Sequence, residues 1–568
     1  MKLRSENFFI SHFSLLTPHL KYMKIKLIEF FSQETDAPKK LIVFMSVVSG
    51  LAYGLLIYVI NESAAAASTP NKAAEFRNLL LFISVAAIFI IGIRYSLNQG
   101  AKITEEVIRR VRIRMIDKLR QTDMQFMESV GQGEIYTRIT QDTETLSEST
   151  IYLISFLNAA ISIAAIGVYI LIIAPAGFLL VSVFAFVGTF IFMSNYTKAK
   201  KQVQLSRMKE AEFFEALDDV LTGFKEIKIS RKKGDDLFED IRTISIDSEK
   251  LKVSASLKHF ESIIFYYLSY FTVIAVVLFV LPSFVDNYTD VVVKIIAGLL
   301  YAYGLADGLL KGLLTVLKSN VAVENLSRME ARLDNVGNHI RQTLGKAPSD
   351  FGEIEFHSAL FRYSDKEGGT LFEIGPINLT IRKGEILFIA GGNGSGKSTF
   401  LKLLTGLYSP TGGGFVTLDD ETLSRENYQN YRELFFAIFS DFHLFRKLYG
   451  LESIDEQRVK ELLKQMELQR KTGYADGKFT NLDLSTGQRK RLAYIAGILE
   501  DKPIYVFDEW AADQDPTFRK YFYETLIRDL KALGKTVIAV THDDRYFDKG
   551  DRLIMMEEGK IVSDESFV

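Results

Sequence analysis

A series of long apolar runs in the front half of the chain constrains its fold more than any other feature. Crossing a bilayer as a helix takes about 20 predominantly apolar residues. So many runs disfavour the alternative, buried helices of a soluble protein. We predict an all-α transmembrane domain over residues 41–325, whose last crossing is the weakest because charged residues interrupt it. The six predicted spans are 41–60, 79–97, 151–173, 176–193, 262–281 and 291–314.

Basic residues are distributed unevenly among the segments that connect these runs. The short segment 61–76 contains only Lys72, whereas the longer segments 98–150 and 194–258 are rich in lysine and arginine. Positive charge accumulates on the cytoplasmic side of membrane proteins. Both termini, including the segment 1–40, and both long segments are therefore predicted to be cytoplasmic.

The two long segments combine mixed charge with helical periodicity, as in ITEEVIRRVRIRMIDKLRQTDMQFM at 103–127. Charged periodic residues beside a span are typical of membrane helices that continue into the cytoplasm. Gly131 and Gly133 break the pattern, which indicates a turn at a tip. We expect such tips to dock on a soluble domain, and a solvated charged loop is the alternative.

The back half of the chain has a different composition. Residues 326–350 are predicted to form a linker, and apolar strand patterns alternate with helical patterns over 351–568. This alternation is typical of an α/β domain. The net charge of −2 supplies no basic field for nucleic acid, and the absence of cysteine excludes disulfides and cysteine–zinc sites.

The segment GGNGSGKS at 391–398 follows an apolar strand pattern and precedes a helical one. That context predicts a P-loop, in which glycines let backbone N–H groups approach phosphate oxygens at a helix N-terminus. The lysine of such a loop reaches the β- and γ-phosphates, and Ser398 offers a hydroxyl to Mg²⁺. The residues predicted to hold ATP here are Gly391, Gly392, Asn393, Gly394, Ser395, Gly396, Lys397, Ser398 and Thr399.

Two further strand patterns end in polar residues. The strand at 504–507 is followed by Asp508, predicted to hold Mg²⁺, and by Glu509, predicted to orient or deprotonate the attacking water. The strand at 536–541 is followed by His542, predicted to sense or stabilise charge on the γ-phosphate. A structural histidine is the alternative for His542.

The segment LSTGQRKR at 484–491 matches the signature LSGGQ of ABC proteins, with Thr486 in place of a glycine. Over residues 40–568 the chain resembles an ABC exporter half-transporter. The resemblance implies a homodimer in which Ser485, Gly487 and Gln488 contact the ATP of the partner.

Three further expectations follow from the resemblance. It implies that Tyr363 stacks on adenine and that Asp515 contacts the partner. It also implies that residues 126–146 form the tip of the first cytoplasmic loop.

The chain departs from this family pattern at two further positions. Ser440 stands where the family has a glutamine, and it is expected to meet Mg²⁺ differently from the longer side chain. Trp510 replaces the usual proline after the catalytic glutamate. Together with LSTGQ these departures resemble a narrower branch, bacterial exporters of cyclic peptides such as peptide siderophores and lipopeptides. That branch implies a medium-sized amphipathic substrate.

Aromatic and charged residues in the last two predicted spans are candidates for a partly polar substrate cavity. Aromatics anchoring at the lipid headgroups are the alternative. Charge inside a membrane is expensive and usually faces protein or water. The candidate cavity residues are Tyr266, Tyr270, Tyr303, Asp307 and Lys311.

The function predicted from the sequence is ATP-driven export of a cyclic or amphipathic peptide across the bacterial inner membrane. The expected protein is a multi-pass homodimer in contact with lipid, with its nucleotide-binding domain in the cytoplasm. A lipid or lipopeptide flippase is one alternative. A membrane regulator that binds ATP without hydrolysing it is another, although Lys397, Asp508, Glu509 and His542 argue against it.

Overall fold

The computed structural model describes residues 29–31, 34, 39–66, 72–283, 288–337, 348–364, 369–424 and 427–567. These residues fall into two compact units. The first comprises 1–113 and 137–327 of the chain, and the second comprises 114–136 and 328–568. Most of the predicted N-terminal segment and residues 338–347 of the predicted linker lie outside the described residues.

The front half of the chain is helical throughout the residues described. Long helices follow one another with few intervening residues, and one π-helical turn at Arg138–Asp142 joins two of them. The helices are α1 Lys39–Ala66, α2 Lys72–Arg120, α3 Met124–Val130, α4 Gln132–Thr137, α5 Thr143–Ile173, α6 Pro175–Thr222, α7 Phe224–Ile229, α8 Arg231–Phe279 and α9 Tyr288–Gly337.

Within the described residues, five helical stretches are long and apolar enough to cross a membrane. A shorter apolar stretch, Pro175–Gly188, coincides with most of the fourth predicted span. The five are Lys40–Ala64, Glu75–Arg120, Gln132–Ile173, Ile263–Ser283 and Val291–Leu309.

The first unit is held together by apolar contacts and close helix packing. Ile57, Ile166, Val277 and Ile295 belong to one buried cluster contributed by four helices. At Gly54 of α1, an added Cβ would lie 2.7 Å from Cβ of Ala165 in α5. The absence of a side chain at Gly54 therefore lets these two helices approach closely.

Strands and shorter helices build the second unit. The short helices are α10 Lys397–Leu404, α11 Tyr428–Arg432, α12 Glu456–Gln465, α13 Thr486–Glu500, α14 Pro516–Tyr521 and α15 Ile527–Ala532. The strands are β1 Glu353–Ser364, β2 Thr370–Arg382, β3 Ile386–Gly391, β4 Phe415–Leu418, β5 Glu421–Thr422, β6 Phe435–Ile438, β7 Tyr474–Ala475, β8 Lys478–Phe479, β9 Ile504–Asp508, β10 Thr536–Val540, β11 Arg552–Glu557 and β12 Lys560–Ser566.

A six-stranded sheet in the order β12-β11-β3-β10-β9-β6 forms the centre of the second unit. Strands β11, β3, β10, β9 and β6 run parallel, and only β12 is antiparallel. Side chains alternate between two buried clusters, as Phe388 and Phe507 show on one face and Ile389 and Val506 on the other. Both faces of the sheet are therefore covered, as expected for a parallel sheet.

Candidate active site

Predicted site residues from three segments of the chain lie at one edge of the parallel sheet. The segment GGNGSGKS begins at the end of β3, Asp508 ends β9, and His542 follows β10 after one residue. Because β3, β10 and β9 are parallel neighbours, their carboxyl ends lie at the same edge. Ligands of open α/β sheets bind at that edge.

The backbone of the loop after β3 requires its glycines. Gly394 and Gly396 have φ angles of 80° and 97°, which other residues rarely adopt. A Cβ at Gly391 would lie 2.2 Å from the carbonyl oxygen of Met556. These glycines therefore set the path of the loop as it turns into the helix α10.

Lys397 is the first residue of α10 and is 6% exposed. Its Nζ donates hydrogen bonds to the carbonyl oxygens of Gly391 and Gly392, at 3.0 and 2.9 Å. Burial lowers the pKa of Lys397, and the carboxylates of Glu509 and Asp508 oppose that shift. The ammonium is therefore held inside the loop that the sequence predicts to bind phosphate.

A buried hydroxyl in the same loop lacks a partner. Among the described residues, Oγ of Ser395 has no hydrogen-bond partner although Ser395 is only 4% exposed. A buried polar group without a partner is costly. A phosphate oxygen would satisfy this hydroxyl, so the loop fits a nucleotide phosphate.

Of the three predicted Mg²⁺ ligands, Ser398 and Ser440 both contact the carboxylate of the third, Asp508. Oγ of Ser398 donates to Oδ2 of Asp508 at 3.3 Å, and the backbone N–H of Ser440 donates to the same oxygen at 3.4 Å. Burial raises the pKa of Asp508, as does the nearby Glu509, while these hydrogen bonds lower it. Hydroxyl and carboxylate oxygens are ligands that Mg²⁺ accepts, so the set fits this ion.

Glu509 has a strained backbone. Its φ of 51° and ψ of 36° place it in the left-handed region, which costs a non-glycine residue about 1–2 kcal/mol. Its N–H donates to the carbonyl oxygen of Val540 in the neighbouring strand β10. Strain of this kind persists where the surrounding structure enforces it and is common at functional sites.

A cavity of about 380 Å³ lies over the loop after β3. It includes six of the nine residues predicted there and also Glu509. The lining residues are Phe372, Asn393, Gly394, Gly396, Lys397, Ser398, Thr399 and Glu509.

Phe372 is the aromatic residue of this cavity, and sequence analysis missed it. Tyr363, predicted to stack on adenine, is not among the lining residues. It is the cross-strand partner of Phe372, and its hydroxyl lies 2.9 Å from that of Tyr408. A Cβ at Gly396 would lie 3.5 Å from Cζ of Phe372, so the ring borders the loop directly.

Family models match most of the chain in two parts. The model described as ABC transporter transmembrane region matches residues 40–287, and the model described as ABC transporter matches residues 374–512. The chain belongs to the ABC transporters. The second match covers the loop, Asp508 and Glu509, and so includes all the residues that line the cavity except Phe372.

Individual proteins and one solved structure resemble this transporter. The ATP-binding protein SyrD of Pseudomonas syringae pv. syringae is 44% identical over 218 residues, 38% of this chain and 38% of that protein. The ATP-dependent lipid A-core flippase of Burkholderia orbicola is 30% identical over 227 residues, 38% of this chain and 37% of that protein. These matches thus span less than half the length of each relative.

The solved structure is that of a bacterial Atm1-family ABC exporter with ATP bound. It aligns with a TM-score of 0.73 at 16% identity, over 92% of this chain and 95% of that one. The alignment establishes the exporter fold for the transporter, a helical transmembrane domain followed by an α/β nucleotide-binding domain.

The signature segment of the transporter begins the helix α13. Ser485 caps the helix by accepting from the N–H of Gln488, and the side chain of Gln488 accepts from the N–H of Ser485. Neither residue lines the cavity of its own chain, nor does Gly487. Asp515 is exposed and caps α14 by accepting from the N–H groups of Thr517 and Phe518.

The predicted tyrosines of the last two spans lie together. The ring centroids of Tyr266 and Tyr303 are 5.7 Å apart and nearly parallel, and those of Tyr270 and Tyr303 are 4.3 Å apart. The ring centroid of Tyr267, in the same part of α8, is 6.0 Å from that of Tyr303. Asp307 is partly buried, whereas the side chain of Lys311 lies outside the described residues.

Residues 126–136 of the predicted loop tip, 126–146, belong to the second unit, and the remainder belongs to the first. Glu128 in α3 accepts from Nζ of Lys402 at 2.9 Å and from the hydroxyl of Tyr408 at 2.6 Å. Because the hydroxyl of Tyr408 donates its hydrogen bond to Glu128, the hydroxyl of Tyr363 must be the donor in its contact with Tyr408. Burial raises the pKa of Tyr408, and its hydrogen bond to the carboxylate of Glu128 acts in the same direction. A chain of hydrogen bonds, called the relay below, thus runs from Tyr363 through Tyr408 to Glu128 in the tip.

Proposed function

We propose that this chain is an ATP-driven exporter that works as a homodimer. One observation carries the proposal: the loop residues, Asp508, Glu509 and His542 converge at one sheet edge in a chain that also has membrane-crossing helices. Such convergence supplies both phosphate binding and a base for hydrolysis.

The chain's own residues would divide the work of hydrolysis. The backbone of the loop after β3 would hold the phosphates, and the ammonium of Lys397 would turn from its carbonyl partners to the β- and γ-phosphates. Ser398, Ser440 and Asp508 would hold Mg²⁺, which when bound supplies positive charge against the phosphate oxygens. Glu509 would accept a proton from the attacking water.

Homodimerisation would complete each site. Ser485, Gly487 and Gln488 contribute nothing to the cavity of their own chain, which supports a role at the cavity of a partner. The exposed Asp515, two residues beyond the short turn after Glu509, is proposed to contact that partner. Two equivalent sites would then open and close together.

The substrate is proposed to be a cyclic or amphipathic peptide. The cluster of Tyr266, Tyr267, Tyr270 and Tyr303 offers aromatic surface with hydroxyl groups, which suits such a molecule. Asp307, in the same helix α9 as Tyr303, would add charge to the proposed cavity. An Asp307→Ala variant should lose stimulation of hydrolysis by peptide, and unchanged stimulation and transport would contradict this cavity.

The decisive experiment is transport in reconstituted vesicles. The purified chain, inserted with its nucleotide domain outward, would receive Mg²⁺-ATP and a panel of labelled cyclic peptides. Peptide accumulation that requires ATP and is absent in Lys397→Ala would support the proposal. We also propose that the protein resides in the bacterial inner membrane with its nucleotide domain in the cytoplasm.

A lipid or lipopeptide flippase is a second candidate, because a relative described as a lipid A-core flippase is 30% identical over 227 residues. A fluorescent-lipid translocation assay in the same vesicles separates the two. ATP-dependent lipid movement without peptide accumulation would indicate a flippase and contradict peptide export. ATP binding without hydrolysis would instead indicate a membrane regulator.

A further inference from the structure

The turn that follows Glu509 is anchored to the signature helix α13. It consists of one 3-10 turn, Trp510–Asp513, entered through the left-handed backbone of Glu509. Gln514, the next residue, donates from Nε2 to the carbonyl oxygen of Gly487 at 3.1 Å. A Cβ at Gly487 would lie 2.5 Å from the carbonyl oxygen of Asp513, so turn and helix are in close contact.

Lys490 of α13 is buried against this turn. Its side chain is 3% exposed, and Nζ lies 2.7 Å from Oδ2 of Asp513. The same Nζ donates to the carbonyl oxygen of Glu509, also at 2.7 Å. Because a buried ammonium needs partners, the two bonds fix both ends of the turn to one atom.

Trp510 makes the reciprocal contact. Its indole Nε1 donates to the carbonyl oxygen of Lys490 at 3.0 Å. The ring is 1% exposed and stacks on Phe522 with centroids 4.6 Å apart. The indole therefore holds the backbone of Lys490, while the side chain of Lys490 holds the backbone before Trp510.

We propose that Lys490 and Trp510 are positioning residues that hold the backbone of Glu509 in its left-handed conformation and so aim its carboxylate. This inference rests on the proposed hydrolysis by Glu509. Lys490 contacts the carbonyl oxygen of Glu509 and leaves the carboxylate facing the cavity and His542. Without the ammonium, the strained peptide can relax and displace the base.

The contacts among Lys490, Glu509, Trp510 and Asp513, called the clamp below, also account for two residues to which the nucleotide site gives no role. Trp510 supplies the donor that a proline at this position lacks. Asp513 neutralises the buried ammonium and is itself 43% exposed. Its carboxylate can therefore be hydrated when Lys490 is replaced, so a Lys490→Met variant should fold.

The test compares ATP hydrolysis and ATP binding by the purified full chain. Lys490→Met should lower kcat by about tenfold to a hundredfold, as small displacements of catalytic groups do, with the Kd for ATP unchanged. Lys490→Gln, which keeps a donor, should recover part of the rate. Lys502→Met is a matched control, because Lys502 bonds to Glu433 away from the turn and its loss should leave kcat unchanged.

A second comparison separates positioning from general damage. In a Glu509→Gln background, Lys490→Met should cause no further loss of rate, because Lys490 acts through Glu509. An equal loss in both backgrounds, an equal loss of ATP binding, or a wild-type kcat would overturn the proposal.

A third readout needs no activity. Trp510 is the only tryptophan of the chain. Its fluorescence should become more accessible to acrylamide in nucleotide-free Lys490→Met than in wild type or Lys502→Met. Unchanged quenching would overturn the clamp. If wild type hydrolysed no ATP, the proposed function would fail, and the quenching comparison would still decide whether Lys490 holds the turn.

Discussion

Nε2 of His542 lies 3.1 Å from Oε1 of Glu509, so the imidazole and the carboxylate form a hydrogen-bonded pair at the sheet edge. An ionised carboxylate only accepts hydrogen bonds, and the contact therefore requires the proton on Nε2. Both side chains remain partly exposed, at 45% and 39%. The pair is thus ordered by the protein yet open to a water molecule and to phosphate.

Glu509→Gln should bind ATP and barely hydrolyse it. The amide keeps the size of the side chain but cannot accept a proton from water, so kcat should fall by at least about a hundredfold. Phosphate release and equilibrium binding of labelled ATP measure the two properties. Glu565→Gln, in the antiparallel edge strand β12, is the matched control. Wild-type turnover in Glu509→Gln would assign the base elsewhere.

His542→Ala should lower the rate of hydrolysis for two reasons. It removes the hydrogen bond that holds Glu509, and it removes the proposed interaction of His542 with the γ-phosphate. A hydrogen bond to a charged group is worth enough to change a rate by about tenfold. In the double variant of His542→Ala and Glu509→Gln, the fold-loss of kcat should be smaller than the product of the two single fold-losses, because the residues act as a pair. A fully multiplicative double variant would indicate independent roles.

The order of patterns along the chain was enough to predict which residues follow the strands at this sheet edge. The glycine-rich loop, Asp508 and His542 each follow an apolar strand pattern, and parallel pairing brings the ends of these strands to one edge. The predicted strand at 504–507 agrees with β9, Ile504–Asp508. Periodicity and chain order carry this information because neighbouring parallel strands end together.

Contacts between side chains on different strands and helices could not be predicted in the same way. Phe372 borders the cavity through the pairing of β1 with β2, whose register shifts irregularly beside Tyr363. Lys490 looks like part of a solvated basic run, since only packing against the turn after Glu509 buries it. Such contacts depend on register and tertiary packing, which a single sequence does not display.

Ser440→Ala should weaken activation by Mg²⁺. Its backbone N–H bond to Asp508 is kept in the variant, so the loss reports on the hydroxyl alone. The Mg²⁺ concentration for half-maximal hydrolysis should rise by about tenfold, as for groups that support metal ligands. Binding of ATP without Mg²⁺ should not change. Unaltered Mg²⁺ dependence would mean that the hydroxyl of Ser440 takes no part in holding the ion.

Glu128→Gln should uncouple hydrolysis from transport. The carboxylate joins the tip helix α3 to Lys402 and Tyr408, and an amide cannot match its charge-assisted bonds. Transport per ATP hydrolysed should fall by at least about fivefold, the lower range of coupling energies between sites. Tyr408→Phe should act in the same direction, because it breaks the relay from Tyr363. Glu144→Gln, exposed in the first turn of α5, is the control, and an equal effect there would show that charge at the loop matters rather than this contact.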